Sequence, residues 1–255
     1  MFDWTAFTVF LFILMRISGF VLFNPFFGRN GVPAMFRAGF ILVLSWMVYG
    51  VYGGTAAVPA TLMELALKLM LELSLGFLFG VVARFFFYIP EQAGEFTDTQ
   101  MGMSMARTYD PMSQSQATPT ANILSTMATM LFFAENGHMT LLRIMLTSGE
   151  IVPYGAVRLG SQIPEHVVQL FAECVLLAVK MGLPILGAEL MGQIGMGVLM
   201  KVIPQINVFS INLELKILIG LFMLAVLIAP MSDFLLNIES YMLTEMGKLL
   251  NLAAP

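Results

Sequence analysis

Apolar residues fall in long continuous runs along this chain, separated by short turn-rich breaks, with one long polar interval near the middle. The runs are 2–23, 35–52, 62–88, 123–146, 167–197 and 211–231, and the polar interval is 91–120. Most of them approach the roughly 20 residues that a helix needs to cross a bilayer. Lipid leaves the backbone no partner but itself, so such a run spans only as a helix. A transmembrane barrel needs alternating faces, which these runs lack. The pattern predicts an all-α, polytopic membrane-associated protein. It is one helical unit over 1–255, with about six apolar helical segments around a central polar loop.

The polar interval ends in QMGMSMARTYDPMSQSQATPT, Gln100–Thr120. So long an irregular segment, among connections that are otherwise short, is either functional or a disordered link. Its make-up favours function. Met101, Met103, Met105 and Met112 are flexible, polarisable fillers suited to a compliant seal, while Gly102, Pro111 and Pro119 break regular structure. A solvated loop with accidental methionines is the plainer alternative.

The other breaks are conventional. Asn24–Pro33 (NPFFGRNGVP) places Pro, Gly and Asn where turns use them. In the fifth run Gly182, Pro184, Gly187, Gly192, Gly195 and Gly197 argue against a single straight helix. A short amphipathic tail is expected after 231. The opening MFDWTAF has no basic region ahead of its apolar run, which predicts an uncleaved first span. Arg29 and Arg37 favour the cytoplasmic side for the first loop.

Composition narrows the function classes. Of 255 residues, 58% are hydrophobic and 11% charged, against roughly 25% charged in soluble domains. A net charge of −4 with no basic patch disfavours nucleic acid. One cysteine, Cys174, forms no internal disulfide, and two histidines, His138 and His166, make a Cys/His metal site improbable. The stretch 182–197 lacks the Lys-Ser/Thr ending of a phosphate loop, and hydrolase motifs do not occur. Ala188 and Gly192 form a small-xxx-small pair suited to close helix packing. No catalytic, cofactor-binding or metal-ligating residue is assigned, and no enzyme activity is expected.

The anomaly is charge inside the apolar runs: Arg16, Glu64, Lys68, Glu72, Arg84, Glu135, Arg143, Glu173, Lys180, Glu189, Glu214 and Lys216. In the third run, central Lys68 and Glu72 would cost about 5–7 kcal/mol, most of what its apolar side chains supply on the same scale. Glu64, Lys68 and Glu72 share one helix face and can pair along it. Glu173 and Lys180 also share a face. Glu214 and Lys216 need partners elsewhere. Three readings stay open: neutralisation that keeps the fold, an ion relay, or helices facing other subunits or a conduit. The spread of charges over nearly every run favours the last over the second.

Three stretches carry a resemblance. They are RISGFVLFNPFFGRNGVPAMFRAGF (Arg16–Phe40), the Pro111–Thr120 region, and KVIPQINVFSINLELKILIGL (Lys201–Leu221), of which Pro204, Gln205, Asn207 and Phe209 are the most specific. Together the sequence resembles the FliR/SctT-type family of type III export gates, over essentially its whole length. The resemblance implies a non-enzymatic core subunit of the flagellar export gate. It would assemble with P-type and Q-type subunits (FliP, FliQ) and the B-type switch protein (FlhB), and pass unfolded rod, hook and filament proteins. The implied location is the bacterial inner membrane at the flagellar basal body, with part of the chain above the lipid on the periplasmic side. The resemblance makes the central loop a plug, with Met101, Met103, Met105 and Met112 sealing and Arg107, Tyr109, Asp110 and Pro111 beside them. It makes Pro204, Gln205, Asn207 and Phe209 a subunit contact or a lining of the exit path. An injectisome export subunit is the alternative, and a small-molecule secondary transporter, prompted by the Gly-broken fifth run, the more distant one.

Overall fold

The computed structural model describes residues 4–28, 32–52, 59–105, 108–110, 115–202 and 208–254, with the side chains of 105, 108–110, 115–116 and 208–210 left aside. Among these the chain forms seven α-helices: α1 (Trp4–Phe23), α2 (Ala34–Val51), α3 (Leu62–Met101), α4 (Pro119–Ala134), α5 (Gly137–Ile151), α6 (Gln162–Val202) and α7 (Val208–Ala253). The all-α class holds, with one addition. Two three-residue strands, β1 (Thr108–Asp110) and β2 (Ser115–Ala117), pair antiparallel with Tyr109 opposite Gln116. Five helices are long and apolar enough to cross a membrane, namely α1, α2, α3, α6 and α7.

Four elements differ from the hydropathy reading. Helix α3 runs on to Met101, into the interval expected to be loop. The run 123–146 is two helices, broken where Asn136 adopts a left-handed φ of 58°. Helix α6 continues through its glycines and Pro184, and α7 carries the expected tail as part of one 46-residue helix. Apolar surroundings explain this continuity. With no water to take freed backbone groups, a glycine costs less by staying helical than by breaking the ladder.

The chain divides into two compact units, and α3, α6 and α7 contribute residues to both. The first comprises Met1–Phe86, Asn136–Leu170 and Glu239–Pro255. Its core is an α1–α3 contact in which the backbones themselves meet. A Cβ on Gly19 would strike the Leu73 carbonyl, and one on Gly76 the Arg16 carbonyl and, at 2.8 Å, the Phe20 amide nitrogen. Only glycine permits this approach. Asn24 ends α1 by accepting the Phe26 N–H on its side chain at 2.9 Å. Elsewhere in the unit buried Glu245 lies 2.6 Å from Lys248 Nζ and 3.0 Å from His166 Nε2.

The second unit comprises Phe87–Glu135 and Phe171–Ile238. Here small residues again set the contacts. A Cβ on Gly94 would strike the backbone of Ala121, and one on Gly220 would strike the Met101 side chain.

Candidate functional site

Two buried polar clusters stand out, one in each unit. In the first unit Arg16 and Glu72 are both fully buried. Arg16 Nε donates to Glu72 Oε2 at 2.6 Å and Nη2 to Oε1 at 3.1 Å, a two-pronged pair. Two further donors are used: Nη1 reaches Ser148 Oγ at 3.1 Å and Nη2 the Val152 carbonyl at 3.0 Å. Glu72 accepts a further bond from the Gly155 N–H at 2.7 Å, and the Tyr154 ring lies 4.2 Å beneath the guanidinium carbon. Burial pushes the Tyr154 phenol above its ordinary value, against the pull of the Arg16 charge, so it stays neutral here. This cluster ties α1, α3 and the α5–α6 connection together. Glu72 therefore looks across to α1 and not along its own helix. Lys68 pairs with Glu64, at 2.9 Å and partly exposed.

In the second unit the fully buried Asp98 takes two bonds from Thr120, from the backbone N–H at 2.8 Å and from Oγ1–H at 2.6 Å. Thr118 occupies the N-cap of α4 but makes no side-chain capping bond, and Pro119 has no N–H to offer. The last turn of α3 thus caps the first turn of α4, and the carboxylate sits at the positive end of that helix. Between these two points lie Gly102 (φ +77°), the 3₁₀ turn Met103–Met105 and the β1–β2 hairpin. Met101 is wholly buried against Gly220 of α7. It forms the base of the segment, whereas Met103 is part-exposed beyond it.

The other expected residues scatter. Arg107, Pro111, Met112, Pro204, Gln205 and Asn207 lie outside the described residues. Met105, Tyr109, Asp110 and Phe209 are placed by backbone alone, the middle two within β1 and Phe209 in the first turn of α7. Glu173 is exposed on α6, and Lys180 borders a cavity of about 120 Å³ between Pro184 of α6 and Pro230 of α7. Glu189 is buried on α6 with Lys216 of α7 as its counter-charge. Among the described residues no group of three or more His, Cys, Asp or Glu side chains is disposed to hold a metal.

The sequence reading missed Asp98, Thr120 and the Arg16–Glu72 pairing. A signal for the first existed: Ile89, Ala93, Gly94, Thr97, Asp98 and Met101 recur at helical spacing and are all buried. Their stripe is small and polar, so hydropathy did not mark it.

The family model described as bacterial export proteins, family 1, matches residues 7–241. The chain belongs to that family. Relatives within it include the flagellar biosynthetic protein FliR of Bacillus subtilis, 28% identical with 96% of each chain covered. FliR of Escherichia coli is 24% identical over 88% of this chain and 87% of its own. The Yop proteins translocation protein T of Yersinia pestis is 26% identical over 75% and 74%. Both clusters fall inside the matched residues, so they are parts of a bacterial export protein with membrane-spanning helices.

Proposed function

We propose that this chain is the R-type core subunit of the flagellar type III export gate. In this reading it is a non-enzymatic channel component of the inner membrane at the basal body. It assembles with P-type and Q-type subunits (FliP, FliQ) and the B-type switch protein (FlhB), and unfolded flagellar rod, hook and filament proteins pass through the assembly. The observation that carries the reading is near-full-length similarity to FliR proteins of distant bacteria. Deleting the gene and assaying motility with hook and filament protein in the medium tests it. Loss of both, restored by a plasmid copy, is the expected result. Normal swimming overturns the flagellar assignment and moves the test to injectisome secretion, a reading that the similarity to the Yop translocation protein supports.

Within that assembly the segment 103–116 serves as the plug. Its support is geometric: a hairpin on a Met-bearing turn, its two ends brought together by the buried Asp98–Thr120 bonds and by Gly94 against Ala121. Met103, Met105 and Met112 are the sealing side chains, with Arg107, Tyr109, Asp110 and Pro111 beside them. Met101 anchors the base. The segment around Pro204, Gln205, Asn207 and Phe209 contacts a neighbouring subunit or lines the exit path. Co-purification of P-type and Q-type partners at wild-type amounts after substitution of Pro204 and Gln205 would count against the contact. The transporter alternative loses its motive, because the Gly-rich run is one continuous helix.

A further inference from the structure

We infer that Asp98 is the positioning residue of the seal: the two hydrogen bonds it accepts from Thr120 fix the seat of the 103–116 hairpin. The inference rests on the plug reading. The hairpin leaves α3 at Met101 and rejoins helix at Pro119. Two things in the described structure hold those ends together. One is close packing, Gly94 of α3 against the Thr120–Ala121 backbone of α4. The other is directional, the Asp98 carboxylate with one oxygen on the Thr120 amide and one on its hydroxyl. Packing resists separation of the ends, but a bidentate, charge-assisted bond also fixes their rotation and register. Gly102 makes this necessary. Its left-handed φ ends α3 and redirects the chain into the 3₁₀ turn, so the direction the hairpin takes depends on how its base is held. Both partners are buried, and the short carboxylate leaves no slack. A seal built from compliant methionines needs such a stiff seat, because compliance at both ends would leave the closed position undefined.

The test uses the full chain assembled with its P-type and Q-type partners. Ion conductance of the assembled gate is compared for wild type, Asp98→Asn, Thr120→Val, Thr120→Ser and a deletion of 105–116. Asp98→Asn keeps shape and removes charge. Thr120→Val keeps shape and removes the hydroxyl, while Thr120→Ser keeps the hydroxyl and removes the methyl. The expected result is a leak about tenfold above wild type for Asp98→Asn and Thr120→Val, the shift that losing one charged hydrogen bond produces in a two-state equilibrium. Thr120→Ser stays at wild-type leak, and partners co-purify normally throughout. A leak from Thr120→Ser but not Thr120→Val overturns the inference in favour of packing. Wild-type tightness of Asp98→Asn beside a leaking deletion overturns it while the plug reading stands. A tight deletion variant overturns the plug reading and this inference with it. Failure of Thr120→Val to assemble makes the bond a folding device and overturns the positioning role.

Discussion

Replacing Glu72 by Leu tests the largest energetic claim made by the first unit. In the wild type every strong partner of the Arg16 guanidinium is within 3.1 Å, and two of its four hydrogen bonds go to Glu72. The substitution leaves a fully buried cation with two neutral acceptors, Ser148 Oγ and the Val152 carbonyl, and the Tyr154 face. It also strands the Gly155 N–H. Removing one member of a buried pair costs about 3–5 kcal/mol. For a chain of this size each kcal/mol moves the thermal midpoint by about 2–4 °C, so a fall of roughly 6–20 °C is expected. The double variant Arg16→Met, Glu72→Leu removes both charges. Ser148 keeps its bond to the Met145 carbonyl at 2.7 Å, and only the Gly155 N–H and the Val152 carbonyl lose their partners. It should lie closer to wild type than Glu72→Leu alone. The assay is a thermal scan of the purified subunit in one detergent at one scan rate, with the membrane-inserted amount measured alongside. Glu72→Leu within about 2 °C of wild type, or a double variant no more stable than Glu72→Leu alone, refutes the reasoning.

Three further outcomes follow from the same geometry. Gly76→Ala places a Cβ against the Arg16 carbonyl and Phe20 nitrogen, so α1 and α3 must separate, and a loss of about 1–3 kcal/mol should appear as a lower midpoint and less inserted protein. Met101→Ala empties a fully buried site against Gly220; a cost of about 2–5 kcal/mol is expected, read as lower thermal stability of the second unit's helices by hydrogen exchange. Lys68→Ala removes a partly exposed pair with Glu64 and should leave the thermal midpoint unchanged, since exposed pairs contribute little; a marked drop would mean that Lys68 has another role.

The all-α class and the presence of membrane-length helices were legible because lipid-compatible helices need long apolar runs, and this chain has them; helix number was not, since the run 123–146 is two helices. The places where hydropathy misled are those where polar or small residues pack inside. Residues 91–101 read as loop because Glu91, Glu95, Thr97 and Asp98 lower their hydropathy. They are helical because Ala93, Gly94, Thr97 and Asp98 present a narrow face that lets α4 approach closely. Charge pairing failed in the same way. Spacing along α3 lets Lys68 reach either Glu72 or Glu64, and the Glu-before-Lys order favours Glu64 only weakly. Burial decides. Glu72 is sealed from solvent, and a buried carboxylate needs a partner that fills several lone pairs at fixed geometry. The part-exposed Lys68 amine, 25% accessible, offers a point charge, whereas Arg16 offers a planar fork with the Ser148, Val152 and Tyr154 groups already arranged around it. Asp98 obeys the same rule with a backbone amide and a hydroxyl in place of the fork. In both units the acid that matters is the one whose partner lies across the fold, and each stands four residues from a glycine of the same helix that admits a second backbone: Gly76 after Glu72, Gly94 before Asp98.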